Sequence, residues 1–295
     1  MERHLLAIGY GYSARALTRR LLAQGWQVTG TTRSADRAAA MVSDGVTPLV
    51  WPGADLGAAV MVASHILLSA APDAAGDPVL TAAPEAFDRP LPGLRWLGYL
   101  STTGVYGDHA GGWVDETTPL TPGTTRGHQR VAAEAGWQAL AAAQGLPLHI
   151  FRLAGIYGPG RGPFRKVRDG TAQRIVKPGQ YFSRIHVEDI AQVLDASINR
   201  PEPGAIYNVC DDDPSPPQDV LTHAAELLEV DLPPVVPIDE AEMTPLARSF
   251  YAESKRVRND RMKRDLGVQL AYPTYREGLA ALLAEHLRSG DRGAP

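Results

Sequence analysis

The chain has 295 residues, of which 44% are hydrophobic and 21% charged, the balance of a globular protein large enough to bury a core. Its net charge of −4, without any run of basic residues, argues against broad binding to nucleic acids or to acidic membrane surfaces. Cys210 is the only cysteine and no stretch approaches the roughly 18 apolar residues of a membrane span, so we expect a cytoplasmic protein without a disulfide or a membrane segment.

Short apolar runs alternate with amphipathic segments in the first half of the chain, as in a parallel sheet flanked by helices. Helices are predicted over residues 14–24 and 131–144, where apolar residues recur at helical spacing. Strands are predicted over 5–8, 28–32, 46–50, 65–70, 95–101 and 148–153. The sequence therefore predicts an α/β fold with a doubly wound parallel sheet of the Rossmann type.

After Gly158 proline and glycine become frequent and the predicted helices become shorter. We expect residues 1–157 to form the Rossmann domain and residues 158–295 a smaller, mixed, substrate-binding region. That region is expected at the carboxyl edge of the sheet, where open α/β sheets bind their ligands. A helix predicted over 187–199 is expected to rejoin the first domain at about residues 187–200.

A glycine turn with the sequence Gly9-Tyr10-Gly11-Tyr12-Ser13-Ala14 separates the first strand from the first helix. In such a turn the first glycine permits a tight bend, the second lets the backbone approach a pyrophosphate, and the last small residue lets helix and strand pack closely. The helix N-terminus offers free N–H groups to the phosphates. We therefore predict that the first domain binds NAD(P) through Gly9, Tyr10, Gly11, Tyr12 and Ser13, and through Ala70 and Ala71 after the fourth strand.

The end of the second strand bears on which dinucleotide binds. It carries Thr32 followed by Arg33, where an enzyme that prefers NAD has an acidic residue for the ribose 2′-hydroxyl. Because an arginine suits a 2′-phosphate, Thr32 and Arg33 predict NADP rather than NAD. The alternative is that Arg33 is a solvated surface arginine.

Further motifs follow the glycine turn in a fixed order: Ser101-Thr102-Thr103-Gly104-Val105-Tyr106-Gly107, residues 151–160, residues 184–191 and Tyr207-Asn208-Val209. Together they resemble the extended short-chain dehydrogenase/reductase superfamily, and within it the NAD(P)-dependent epimerase/dehydratase branch. Residues 272–279 resemble the closing helix of that branch. The resemblance implies hydride chemistry that uses a Ser or Thr hydroxyl, a Tyr as general acid/base and a Lys four residues later.

Aligned on these motifs, Thr102 occupies the hydroxyl position, but Arg126 occupies the tyrosine position and Arg130 the lysine position. A guanidinium group, with a pKa above about 12, gives up no proton near neutral pH, so Arg126 cannot replace the tyrosine. Arg130 can still contact the cofactor ribose or a phosphate. We therefore predict a non-standard proton donor. The candidates nearby in sequence are Tyr106, Tyr157 and His128, of which the two tyrosines also belong to structural motifs of the family.

The substrate side departs from the family as well. Phe182 stands where sugar-nucleotide members carry an arginine for the diphosphate. Arg184, two residues on and on the same side of an extended strand, is a candidate substrate contact, as is Lys177. The predicted substrate is a carbonyl compound or a sugar-like small molecule, and we predict no metal site.

Three functions are consistent with these residues. The first is an NADP-dependent oxidoreductase or epimerase-like enzyme with an unusual proton donor. The second is a non-catalytic NADP-binding sensor on the same scaffold, and the third is a protein-contact scaffold with a structural cofactor. The resemblance also implies a homodimer paired through the helix that carries Arg126 and Arg130.

Overall fold

A computed structural model describes residues 3–289 of the chain. The strands are β1 (His4–Ile8), β2 (Gln27–Thr32), β3 (Thr47–Val50), β4 (His65–Leu68), β5 (Trp96–Thr102), β6 (Trp113–Val114), β7 (Leu148–Leu153), β8 (Gly155–Tyr157), β9 (Arg174–Val176), β10 (Arg184–His186), β11 (Ile206–Val209), β12 (Val235–Pro237) and β13 (Arg256–Val257). The helices are α1 (Tyr12–Ala23), α2 (Ala35–Ser43), α3 (Leu56–Val62), α4 (Pro78–Ala82), α5 (Thr125–Gln144), α6 (Phe164–Arg168), α7 (Val187–Asn199), α8 (Pro217–Leu228), α9 (Pro245–Tyr251), α10 (Asp260–Leu266) and α11 (Tyr275–Ser289). No helix within residues 3–289 is both long and apolar enough to cross a membrane.

Seven parallel strands form the central sheet in the order β11-β7-β5-β4-β1-β2-β3. The prediction of a doubly wound parallel sheet is confirmed. The sheet has one strand more than the six predicted. The additional strand is β11, which pairs with β7 from Ile206 to Val209 and forms one edge of the sheet. This strand has four residues and follows a stretch with two prolines and a glycine, so its apolar run is too short to stand out.

Helix α5 begins at Thr125, six residues before the predicted start at 131. Thr124 caps it, because the threonine side chain accepts a hydrogen bond from the N–H of Gly127. The first two turns carry polar residues rather than an apolar stripe, which is why periodicity alone missed them. The earlier start agrees with the family alignment, which puts Arg126 and Arg130 at the opening of this helix, one turn apart.

The sheet is buried on both faces. In β1, Leu5 and Ala7 pack on the side of α1 and α7, whereas Leu6 and Ile8 pack on the side of α3 and α5. Burial of alternate residues on opposite faces explains why the parallel strands read as continuous apolar runs. A separate apolar cluster lies in the chain from Tyr157 onward, between α6, α8 and α11.

Three pairs of short parallel strands, β8 with β10, β9 with β12 and β6 with β13, lie outside the central sheet. In the last pair, the chain after α9 returns to the loop that follows β5. Ser254 fastens this return, because its N–H donates to Asp108 at 2.7 Å and its hydroxyl donates to the carbonyl of Gly179 at 2.7 Å. We call residues 253–257 the return segment.

Candidate functional site

The glycine turn after β1 is shaped by contacts that leave no room for a side chain at Gly9. Gly9 has φ = +90°, and a Cβ placed on it would lie 2.6 Å from the backbone nitrogen of Ala70. Its N–H donates to the Thr31 hydroxyl at 2.8 Å, and its carbonyl accepts a hydrogen bond from Ser69. The end of β1 is thereby fixed against the ends of β2 and β4.

The start of α1 is open toward solvent and toward a cavity. Gly11 forms the N-cap without any side-chain cap, and a Cβ on it would meet only the Gly9 carbonyl oxygen, at 3.8 Å. Tyr12 and Ser13 line the cavity, while Ala14 is fully buried against the sheet. The uncapped N–H groups and the open space suit an anion such as a pyrophosphate.

The other predicted cofactor contacts surround this turn. Ala71 lines the cavity together with Ser69, and Ala70 supplies the backbone that packs on Gly9. Tyr10 is half-buried over β2, where its N–H donates to the carbonyl of Thr31 at 3.0 Å. Tyr10 is not among the described residues that line the cavity.

At the end of β2 the backbone turns directly into α2. The Thr32 hydroxyl accepts from the N–H of Ser34 at 3.2 Å, and Ser34 caps α2 by accepting from the N–H of Arg37. Arg33 is exposed and makes no ion pair or hydrogen bond with any other residue of the described chain. A guanidinium group is therefore free beside the helix N-terminus of α2.

A cavity of about 740 Å³ extends from the glycine turn along the ends of β5 and β7. The start of α5 forms one wall, and α9 with the return segment forms another. Thr102 lies in it, with its hydroxyl accepting from the N–H of Gly104 at 3.2 Å. The cavity therefore joins the predicted cofactor turn to the position of the family's catalytic hydroxyl.

Arg126 and Arg130 both line this cavity, but their side chains are held differently. Arg130 donates to the carbonyl of Leu100 and, at 3.2 Å, to the hydroxyl of Tyr99. Arg126 is exposed and has no hydrogen-bond or ionic partner among residues 3–289. The first turn of α5 contains no acidic residue, so the helix dipole adds to the positive potential around Arg126.

Tyr106 lies below the cavity, not in its wall. It is fully buried, and its hydroxyl donates to Asn208 at 2.7 Å and accepts from Arg152 at 2.9 Å. Burial raises the pKa of Tyr106 to about 12. This placement counts against Tyr106 as the proton donor, because both of its hydroxyl partners are fixed protein groups.

The Tyr106 hydroxyl belongs to a buried polar network that the sequence reading did not identify. Arg152 forms a two-pronged ion pair with Glu134, the closer contact being 2.8 Å, and the Ser101 hydroxyl donates to the same carboxylate. An arginine inside the apolar run of β7 was the available signal, since a buried charge requires a partner. The network joins α5, β5 and β7 beneath Thr102.

Of the two predicted substrate contacts, one lies at the cavity and the other does not. Arg184 lines it, and its Nη1 donates to the carbonyl of Phe182 at 2.9 Å and to the Ser215 hydroxyl at 2.8 Å. Lys177 is not among the described residues that line the cavity. Its ammonium group donates a hydrogen bond to the carbonyl of Tyr251 at the end of α9. Lys177 thus positions a wall of the cavity.

The return segment places an ion pair in the wall of the cavity. Lys255 and Glu253 line it, form an ion pair at 2.8 Å and are about one-tenth exposed, 11% and 10%. Lys255 also donates to the carbonyl of Gly107 at 2.6 Å, and Glu253 accepts from the N–H of Gly123 at 3.1 Å. No spacing in the sequence indicates this pair, because Lys255 and Glu253 lie 148 and 130 residues from Gly107 and Gly123.

The histidines near the site either cap a helix or are exposed. His186 caps α7, its Nδ1 accepting from the N–H of Glu188, and burial lowers the pKa of His186 to about 4. His128 is exposed on α5. Among the described residues, no three side chains of His, Cys, Asp or Glu are grouped to hold a metal ion.

Comparisons with known proteins agree with this fold. Residues 79–210 match the NAD dependent epimerase/dehydratase family. Protein YeeZ of Escherichia coli (strain K12) is 35% identical over 215 residues, 69% of this chain and 76% of that protein.

Two solved structures extend the likeness to nearly the whole chain. A conserved protein of unknown function from Silicibacter pomeroyi DSS is 58% identical, with a TM-score of 0.90 over 96% of this chain and 99% of that one. The fold is also shared with dTDP-glucose 4,6-dehydratase of Bacillus anthracis str. Ames in complex with NAD, at 16% identity and a TM-score of 0.79 over 99% of this chain and 98% of that one. The predicted resemblance is thus confirmed, and the chain belongs to the NAD-dependent epimerase/dehydratase family.

Proposed function

We propose that this protein is an NADP(H)-dependent oxidoreductase or epimerase that acts on a carbonyl or sugar-like small molecule, with a proton donor other than tyrosine. The observation that carries this proposal is one continuous cavity, lined by Gly11 at the glycine turn, by Thr102 and by the return segment. A shared cavity lets cofactor and substrate lie in contact, which hydride exchange requires.

The glycine turn and the end of β2 fit a dinucleotide phosphate. Space is open above Gly11, the N-terminus of α1 is uncapped, and Arg33 has a free guanidinium group for a 2′-phosphate. Arg130 would face the nicotinamide ribose from the position of the family lysine. When bound, NADP(H) supplies hydride exchange with a substrate carbon.

The proton has to come from another group of the cavity wall. The hydroxyls of Tyr12 and Tyr157 donate to backbone carbonyls, and burial raises the pKa of both. Lys255 carries one N–H beyond the two that bind Gly107 and Glu253. We propose that this ammonium group donates the proton to the substrate oxygen, with Thr102 orienting that oxygen and Glu253 holding the amine in place.

The test begins with binding and continues with turnover. Titration of the protein with NADPH and with NADH is expected to give tighter binding of NADPH, and NADPH oxidation is then followed over a panel of carbonyl compounds and sugar nucleotides. Loss of turnover in Lys255→Met with unchanged NADPH affinity is the expected signature of the proton donor. Equal or tighter binding of NADH would contradict the cofactor assignment.

The second candidate is a non-catalytic NADP-binding sensor. The observation that favours it is the replacement of both catalytic positions by Arg126 and Arg130. Tight NADPH binding with no turnover of any panel compound would support the sensor. We also propose, from the sequence, that the protein is a homodimer in the cytoplasm. Light scattering on the purified protein tests the dimer.

A further inference from the structure

The cavity beside Thr102 carries positive charge that its own wall does not neutralise. Five basic side chains line it: Arg126, Arg130, Arg161, Arg184 and Lys255. Within the described part of the lining, Glu253 is the only carboxylate, and it is already paired with Lys255. Four guanidinium groups therefore share one cavity without an acidic partner in its wall.

These guanidinium groups divide by position. Arg161 lies over the ring of Tyr12, 5.8 Å from its centroid, at the glycine turn, and Arg130 is bonded to the end of β5. Both are therefore on the cofactor side. Arg126 projects from the first turn of α5, close to Gly123, which the return segment contacts through Glu253. Arg126 is therefore on the substrate side.

Arg184 adds a second charge on that side. Its Nη1 is occupied by Phe182 and Ser215. The nearby acids are Asp211, which is 1% exposed, and Asp213, and neither forms an ion pair with Arg184 at 4 Å or less. Burial raises the pKa of Asp211 to about 8, so this carboxyl is mainly neutral at pH 7 and compensates little of the charge. Like charges confined in one cavity repel, and a bound anion relieves that repulsion.

We propose that the substrate carries an oxyanion, a carboxylate or a phosphate, that binds Arg126 at the position where the family has its tyrosine. A guanidinium fork pairs with both oxyanions through two parallel hydrogen bonds. Among the arginines of the cavity, Arg126 is the one whose side chain has no partner in the described chain, so all of its guanidinium N–H groups are available to an anion. This assignment rests on the proposed function and names its substrate class: a small anionic carbonyl or sugar derivative.

The test measures binding and needs no turnover. NADP-saturated protein is titrated calorimetrically at fixed ionic strength with inorganic phosphate, with malonate and with neutral glycerol. We expect at least one of the anions to bind, glycerol not to bind, and Arg126→Gln to weaken the anion by about tenfold or more, since hydrogen bonds between charged groups are the stronger ones. Arg126→Lys should recover part of the affinity, and Arg89→Gln, an exposed arginine away from the cavity lining, should leave it unchanged.

Three results would overturn the assignment. They are equal anion affinity in wild type and Arg126→Gln, anion binding to the unloaded protein that is lost once the protein is saturated with NADP, and no binding of either anion to wild type up to about 10 mM. Failure of the proposed function is detected by a separate measurement, the binding of NADP. A protein that binds no NADP refutes the cofactor site, while the same anion titration on unloaded protein still tests Arg126.

Discussion

Arg126 and Arg130 stand where the family alignment predicts a tyrosine and a lysine that act together, yet their surroundings differ. Arg130 donates to the Leu100 carbonyl and the Tyr99 hydroxyl, and we propose that it contacts the cofactor. Arg126 has no partner in the described chain. An arginine here stabilises negative charge but moves no proton, so the proposed function assigns charge recognition and proton transfer to different residues.

The first residue-scale prediction concerns cofactor choice. Arg33→Ala is expected to weaken NADPH binding by about tenfold or more and to leave NADH binding nearly unchanged, because only NADPH has a phosphate for the guanidinium group. Titration with both cofactors measures this. Arg165→Ala, which removes an exposed arginine of α6, is the matched control. A parallel loss for both cofactors would show that Arg33 does not read the 2′-phosphate.

The second residue-scale prediction concerns the buried network. Glu134→Gln is expected to lower the free energy of unfolding by about 3 kcal/mol, because it leaves the Arg152 guanidinium buried without its counter-charge. Denaturant unfolding measures the change, with exposed Glu242→Gln as the control. A loss no larger than that of the control would mean that the Tyr106 hydroxyl alone is enough to hold the Arg152 guanidinium.

At the scale of elements, packing of the ends of β1, β2 and β4 around the start of α1 determines the shape of the glycine turn. Gly9→Ala places a Cβ 2.6 Å from a backbone nitrogen of Ala70, which cannot move without shifting the end of β4. We expect weaker NADPH binding and a loss of stability of about 2 kcal/mol or more, beyond the strain of positive φ alone.

The control for this variant is Gly25→Ala. Gly25 also has positive φ, +78°, but nothing lies within 4 Å of its added Cβ. It therefore reports backbone strain without the clash. If both variants lost equal stability and kept NADPH affinity, the close packing of Gly9 on Ala70 would be irrelevant to the turn.

At the scale of the whole molecule, the pH dependence of stability involves the buried acid Asp211, which follows β11 and whose N–H donates to the carbonyl of Arg184 in β10 at 2.7 Å. Burial raises the pKa of Asp211 from 3.8 to about 8, so between these values the folded protein binds a proton that the unfolded chain has released. Stability contributed by this residue therefore falls as pH rises through that window, by up to about 1.4 kcal/mol per pH unit.

Asp211→Asn should abolish this dependence. The advantage of the variant over wild type is expected to increase between about pH 5 and about pH 8, and denaturant unfolding at the two pH values measures it. His186, whose pKa burial lowers to about 4, acts in both proteins and cancels in the difference. An advantage that is the same at both pH values would mean that Asp211 ionises normally in the folded protein.

Local patterns were sufficient for the elements that bury apolar surface with a regular period. The predicted strand over 148–153 and the helix over 187–199 coincide with β7 and α7. Apolar periodicity missed the start of α5, which the family alignment alone indicated, because a polar helix start depends on its cap. The strand β11 was missed because a four-residue edge strand depends on its neighbour.

The sequence by itself determined the glycine turn and the parallel α/β fold, since each is carried by neighbouring residues or by a regular period, and the family resemblance added the prediction that Arg126 and Arg130 replace the catalytic pair. Only the tertiary structure decided that Tyr106 is buried below the cavity and that Lys255 and Glu253 line it. Those placements arise from contacts across more than 100 residues, such as Lys255 with Gly107, and no local pattern encodes them.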